Sequence, residues 1–157
     1  FKEVFETARV DGALAASVAH DSHHVIAAGV DDEALADAVN AVVAHGGGLA
    51  AAGGAAAART LPLPLAGLMS PGTCEAAAAG HQAVDAAARA CGCRLRAPFM
   101  TLSFLALPVI PALKLTDRGL VDVDTFSFME RAEGAKGRGG YASCRGEPPP
   151  HTTYEEP

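Results

Sequence analysis

The sequence predicts an α+β domain whose helices pack on a mixed or antiparallel β-sheet in a layered sandwich. Two helical periods, one across 31–45 and one from about 70 to 91, are interleaved with short strand-like segments. The regular βα series that builds a parallel sheet does not occur. With 157 residues, 50% of them hydrophobic and 19% charged, the chain suffices for one globular core and not for two.

A formal net charge of -6 leaves no surplus of Lys and Arg to neutralise a phosphate backbone, so neither nucleic acid nor an anionic membrane surface is an expected partner. Pro, Gly or charge interrupts every apolar stretch before it reaches the roughly 20 residues of a membrane span. The opening Phe1-Lys2-Glu3-Val4-Phe5-Glu6 has neither the basic nor the apolar region of a signal peptide, and the chain reads as beginning inside a longer polypeptide. Cys74, Cys91, Cys93 and Cys144 are expected to stay reduced in a cytoplasmic setting, because a chain rich in Ala and Val builds a core without disulfides. Cys91-Gly92-Cys93 lacks the two-residue spacer and the second cysteine pair of a structural zinc site, and reads as two thiols following a helix.

The first elements expected are two strands, around Leu14 to Val18 and Val25 to Ala28, separated by the polar cluster His20-Asp21-Ser22-His23-His24. A helix follows over 31–45. Ala34, Leu35, Ala38, Val39, Val42 and Val43 mark its apolar face, Asp31 and Asp32 suit its start, and Gly46 suits its end. Gly46-Gly47-Gly48 is then a turn. It trails a helix instead of opening one, so it is no phosphate cradle. Leu49 to Ala58 is an Ala/Gly run without clear preference for strand or helix. Leu61 to Ser70, rich in Pro and Leu, is expected to cross the domain as an extended, buried segment rather than a central strand.

A second helix is expected from Ser70, with Pro71 near its first position, Ala77, Val84, Ala87, Ala88 and Cys91 on one face, and Gly92 at its end. Met100, Leu102, Phe104 and Ala106 alternate with polar neighbours at the period of a half-buried strand. A short last strand is expected near 126–128. Lys114, between apolar neighbours, is expected to reach out to water. Residues 1–130 form the expected domain. The Gly-, Pro- and charge-rich stretch 131–157 is expected to be a disordered tail, having too little apolar surface to offset the entropy of ordering it.

The cluster at 20–24 is the densest group of titratable residues in an otherwise aliphatic chain. Three imidazoles and a carboxylate within five positions can bind a metal, relay a proton or hydrogen-bond a ligand. In an extended segment His20 and Ser22 would share one side and Asp21 and His23 the other, so the spacing forces no common ion. Three readings stay open: a turn with exposed histidines, an independent metal site, and a ligand-contacting or gating loop. His45, His81 and His151 stand apart and read as surface or helix-end residues.

In order and spacing, Gly12-Ala13-Leu14-Ala15, Ser17-Val18-Ala19-His20-Asp21-Ser22-His23, Gly46-Gly47-Gly48-Leu49, Leu61 to Ser70 and Leu107 to Leu120 resemble the C-terminal domain of the adenine deaminases of the amidohydrolase type. The resemblance runs from about Val10 to Phe128. It departs from the family's pattern at His24, where Asn is usual, and across Leu49 to Arg59, where β-branched strand residues are usual.

The resemblance implies a parent hydrolase that converts adenine to hypoxanthine and ammonia with a divalent metal, manganese or iron, held in a barrel. This chain contains none of the His-x-His ligands of that barrel, so the piece itself is expected to be inactive and to need no cofactor. Its implied partners are the barrel of the same polypeptide, adenine, and a second copy in a homo-oligomer. His20, Asp21 and His23 are the candidate catalytic residues, with Ser22 and His24 as candidate substrate contacts and no metal ligand. The alternative is a purine-binding module, or a purely structural or oligomerisation module without catalytic role.

Overall fold

A computed structural model describes residues 11–21, 23–53, 56–116 and 118–129. The expected tail at 131–157, and with it Cys144 and His151, lies outside the described residues. In chain order the elements are β1 (Ala13–Ala16), β2 (Ile26–Gly29), α1 (Asp32–Ala44), β3 (Gly48–Gly53), β4 (Ala56–Pro62), α2 (Cys74–Ala90), α3 (Pro98–Ser103), a 3-10 turn (Phe104–Ala106), β5 (Leu113–Thr116), β6 (Gly119–Asp122) and β7 (Ser127–Phe128). The strands form two antiparallel sheets, one ordered β2-β1-β3-β4 and the other β5-β6-β7. The α+β sandwich is therefore present, with its sheets antiparallel.

Side chains of successive strand residues point to opposite faces, and here both faces of the first sheet are covered. Ala13, Ala15, Ala50 and Ala52 form one face and pack against Ala38 and Val42 of α1. Leu14, Ala16, Leu49 and Ala51 form the other, where α2 supplies Val84 and Ala88 and α3 supplies Phe99 and Leu102. Pairing of Ala13 with Ala52, and of Ala16 with Leu49, keeps each set on its own side. A strand buried on both faces needs no alternation of apolar and polar residues. The Ala/Gly run at 49–53 is thus a central strand, and its small side chains let helices approach from both sides.

Both long helices begin where local chemistry places them. Asp31 accepts the Ala34 N–H at 2.8 Å and caps α1. Its buried stripe matches the expected face except at Val43, which is exposed. The second helix starts later than expected. Thr73, not Ser70, is its cap and accepts the Ala76 N–H at 3.2 Å, while Ser70 accepts the Gly72 N–H in the turn before it.

Three further expectations are corrected. The strand expected at 99–106 is helical: Pro98 occupies the first turn, and the buried residues Phe99, Leu102, Ser103 and Ala106 recur at three- and four-residue intervals. Leu61 to Ser70 is buried only at its start, where Leu61 and Leu63 join the core. Its start finishes β4, an edge strand that tolerates Pro62, and the rest folds back through a bridge between Leu65 and Met69, with Pro64, Leu65 and Met69 exposed. Lys114 does not reach water. It is 8% exposed on β5, and its Nζ donates to the Leu113 carbonyl at 3.3 Å. The hairpin β5–β6, which carries Lys114, had no clear sequence signal, whereas β7 falls within the stretch expected near 126–128.

Candidate functional site

The polar cluster at 20–24 joins the two strands of the β1–β2 hairpin. Its entry is anchored by Ser17, a buried hydroxyl at the end of β1 that accepts the Gly48 N–H at 2.8 Å and donates to the Gly67 carbonyl at 2.5 Å. That one side chain ties the loop's first residues to β3 and to the turn after β4. His20 is held from another direction. Its backbone N–H donates to the Ser103 carbonyl at 2.9 Å, and its ring stacks on Phe104 with centroids 5.1 Å apart and planes inclined by 19°.

Beyond His20 the backbone is not extended, so the alternation of sides expected for an extended segment does not hold. Asp21 has φ 73° and His23 has φ 46°, a left-handed region uncommon for residues with a side chain, though Asp and His enter it more readily than most. The His23 N–H donates to the Ala19 carbonyl at 2.7 Å, closing a turn. His20, Asp21 and His23 are exposed. His24 is half-buried, and its Nδ1 is shielded from solvent without a hydrogen-bond partner among the described residues. Ser22 lies outside the described residues. Among the described residues, no side-chain hydrogen bond joins these groups to one another, so the loop displays two imidazoles and a carboxylate singly. In that form they can exchange protons or hydrogen bonds with a ligand brought to the loop.

An open groove of about 540 Å³ lies beside the loop, between α2 and α3, with Val18, Leu49, Leu61 and Leu63 of the sheet side as its floor and Phe99 and Met100 on one wall. Its lining is almost wholly apolar. Ser103 sits at the junction of groove and loop, and His81 and Asp85 stand on the α2 side, with His81 Nδ1 3.7 Å from Asp85 Oδ2. Arg89 approaches the same oxygen at 3.8 Å. His45, as expected of a helix-end residue, is the C-cap of α1, with Nε2 3.3 Å from Thr60 Oγ1.

Cys91 ends α2 and Cys93 is buried just beyond it; both are free thiols, as is the exposed Cys74. Burial, and then the nearby Asp11 and Cys93, push the Cys91 thiol above its ordinary range. Among the described residues, no three His, Cys, Asp or Glu side chains come together in a way that could hold a metal ion. The described residues therefore offer no ligand set for the divalent metal that the resemblance implies. No described helix is long and apolar enough to cross a membrane.

The supports of the loop were missed by sequence reasoning. Ser103 and Phe104 fall in the segment read as a strand, where nothing marked them as partners of His20. The Pro98 signature of a helix start was the available signal.

A family model described as the adenine deaminase C-terminal domain matches residues 4–127. The chain is 53% identical over 122 residues to an adenine deaminase of Desulfatibacillum aliphaticivorans, covering 78% of this chain and 21% of that protein. It is 50% identical over 118 residues to an adenine deaminase of Shigella sonnei (strain Ss046), covering 75% and 20%. Over 117 residues it is 54% identical to one of Syntrophobacter fumaroxidans (strain DSM 10017 / MPOB), covering 74% and 20%. The chain thus spans about a fifth of the length of these relatives. A match across nearly all of the two sheets and the helices between them places the chain in one family: it is an adenine deaminase C-terminal domain.

Proposed function

We propose that this domain serves a parent enzyme that hydrolyses adenine to hypoxanthine and ammonia, with its divalent metal, manganese or iron, held by residues outside this chain. Identity near one half over three quarters of the chain to proteins named adenine deaminase is the observation that carries this reading. Within it, the His20–His24 loop is the domain's contribution on the substrate side. His20, Asp21 and His23 present hydrogen-bonding and proton-exchanging groups towards the catalytic part of the polypeptide, while Ser22 and His24 are assigned to substrate contact.

Two features support that role. Left-handed backbone at Asp21 and His23 costs free energy that the surrounding structure must offset, and such positions cluster at functional sites. His20 is also held at its backbone by the Ser103 carbonyl and at its ring by stacking on Phe104, and the stacking restricts the orientations of an exposed imidazole. The groove suits the alternative of a free-standing purine site less well. A purine carries donors and acceptors around its ring edge, and this lining offers few polar groups to meet them.

The test is His20→Ala with Asp21→Ala in the full-length enzyme. Adenine kcat/KM is expected to fall roughly 10- to 100-fold at unchanged metal content, the scale on which misplaced active-site groups act. Unchanged turnover would leave the loop a structural connection and refute this role.

A further inference from the structure

We propose that Phe104 is a positioning residue, which fixes the direction of the His20 imidazole. This role rests on the one given to the His20–His24 loop and deepens it, by naming the side chain through which the domain's interior controls that loop.

Two successive residues grip His20 at different points. The Ser103 carbonyl accepts its backbone N–H at 2.9 Å, and the ring of Phe104 lies against its ring with centroids 5.1 Å apart and planes inclined by 19°. A backbone hydrogen bond places a loop residue but leaves its side chain free to choose among rotamers. The ring contact narrows that choice. Aromatic rings at this separation attract each other enough to favour the stacked orientation roughly two- to tenfold.

Phe104 stands on a firm base. It joins α3 to the 3-10 turn, with Ser103 buried before it and Ala106 and Leu107 buried after it. Ser103 Oγ donates to the Met100 carbonyl at 2.7 Å, and the Leu107 N–H donates to the Phe104 carbonyl at 3.3 Å. One turn earlier, Phe99 and Leu102 anchor α3 in the core. Phe104 itself is only half-buried and, among the described residues, belongs to neither core cluster, whereas its neighbour Leu105 packs on one of them. Packing of the core therefore does not account for an aromatic side chain at 104, and the imidazole stacked on it does.

The consequence for chemistry follows from the shape of an imidazole. Its two nitrogens donate and accept in the plane of the ring, so the plane decides where a ligand must lie to meet them. Stacking on a side chain held by the core sets that plane before a ligand arrives, which is the condition under which an oriented group is most effective. Asp21 and His23, which follow in the loop, are exposed and turned by left-handed backbone.

The test compares Phe104→Leu, Phe104→Tyr, His20→Ala and the double variant His20→Ala with Phe104→Leu in the full-length enzyme, reading kcat/KM for adenine alongside metal content and the urea midpoint. Phe104→Leu keeps apolar bulk without a ring face and is expected to lower kcat/KM roughly two- to tenfold, while Phe104→Tyr restores the ring and is expected to stay within about twofold of the parent. In the His20→Ala background, Phe104→Leu is expected to add no further loss, because a residue that acts through His20 then has nothing to position. A loss that multiplies onto that of His20→Ala would show Phe104 acting through the fold at large. That result, or unchanged kcat/KM in Phe104→Leu while His20→Ala lowers it, overturns the proposal and leaves the loop's role standing. Unchanged turnover in His20→Ala overturns it as well, and the loop's role is then decided by the variant altered at both 20 and 21.

Discussion

Ser17 is the residue on which most of the site's surroundings converge. It is buried, and its hydroxyl serves one donor and one acceptor that lie 31 and 50 positions away along the chain. Ser17→Ala removes both bonds and strands the Gly48 N–H in a place water reaches poorly, which costs about 1–3 kcal/mol; urea unfolding should show the loss as a lower midpoint at unchanged slope. Gly48 has no room for a substituent. With φ 146° a Cβ there would lie 2.2 Å from the Leu61 carbonyl oxygen, so Gly48→Ala must part β3 from β4 and is expected to cost more than about 3 kcal/mol. The thiols differ for an equally local reason. Cys74 is exposed, whereas Cys91 is half-buried and burial, with the neighbouring Asp11, pushes its thiol above the ordinary range; a thiol that ionises less is a poorer nucleophile. Iodoacetamide near neutral pH should therefore label Cys74 several-fold faster than Cys91, as peptide mapping would report.

At the scale of elements, α2 depends on its first turn. Thr73→Ala removes the cap and is expected to cost about 1 kcal/mol. Glu75 in that turn accepts hydrogen bonds from its own N–H and from the Thr73 hydroxyl, which hold its carboxyl below the ordinary range. A carboxyl depressed in the folded state stabilises it above the unfolded pKa and loses that contribution as pH falls through the folded value. Helicity measured by circular dichroism should thus decline slightly below about pH 4, and Glu75→Gln should remove that part of the decline. The two long helices were legible because three- and four-residue spacing is local, although the second is capped by Thr73 and not by the expected Ser70. The segment at 98–106 was not: Met100 and Phe104 satisfy a strand's alternation as well as a helix's outer face. The covering of its inner face by the sheet separates the two. Lys114 was misjudged for a related reason. A strand residue's exposure depends on what lies over the strand, here the 3-10 turn, and not on its neighbours in sequence.

For the whole molecule, the described residues bring no set of metal ligands together and present one pinned, polar loop beside an apolar groove. The 157-residue chain, purified and exposed to manganese, is expected to retain less than one equivalent on elemental analysis. It is also expected to release no ammonia from adenine. Stoichiometric metal or turnover by the chain alone would contradict the division of labour proposed here. Family membership and the candidate loop were both readable from the sequence, since the blocks that carry them are contiguous. How the loop is held was not readable: His20 finds Phe104, and Ser17 finds Gly67, only after the sheet and α3 have formed.

The sequence by itself determined the family, the two long helices with the cap of the first, and the concentration of polar chemistry at 20–24, because each is written in residues a few positions apart. Tertiary structure alone decided that an Ala-rich run is the central strand, that an alternating segment is a helix, and that Lys114 is buried. It also decided that His20 is fixed in place while Asp21 and His23 adopt left-handed backbone. Those outcomes turn on which surfaces cover which, and coverage is set by packing between distant segments, a quantity no local pattern contains.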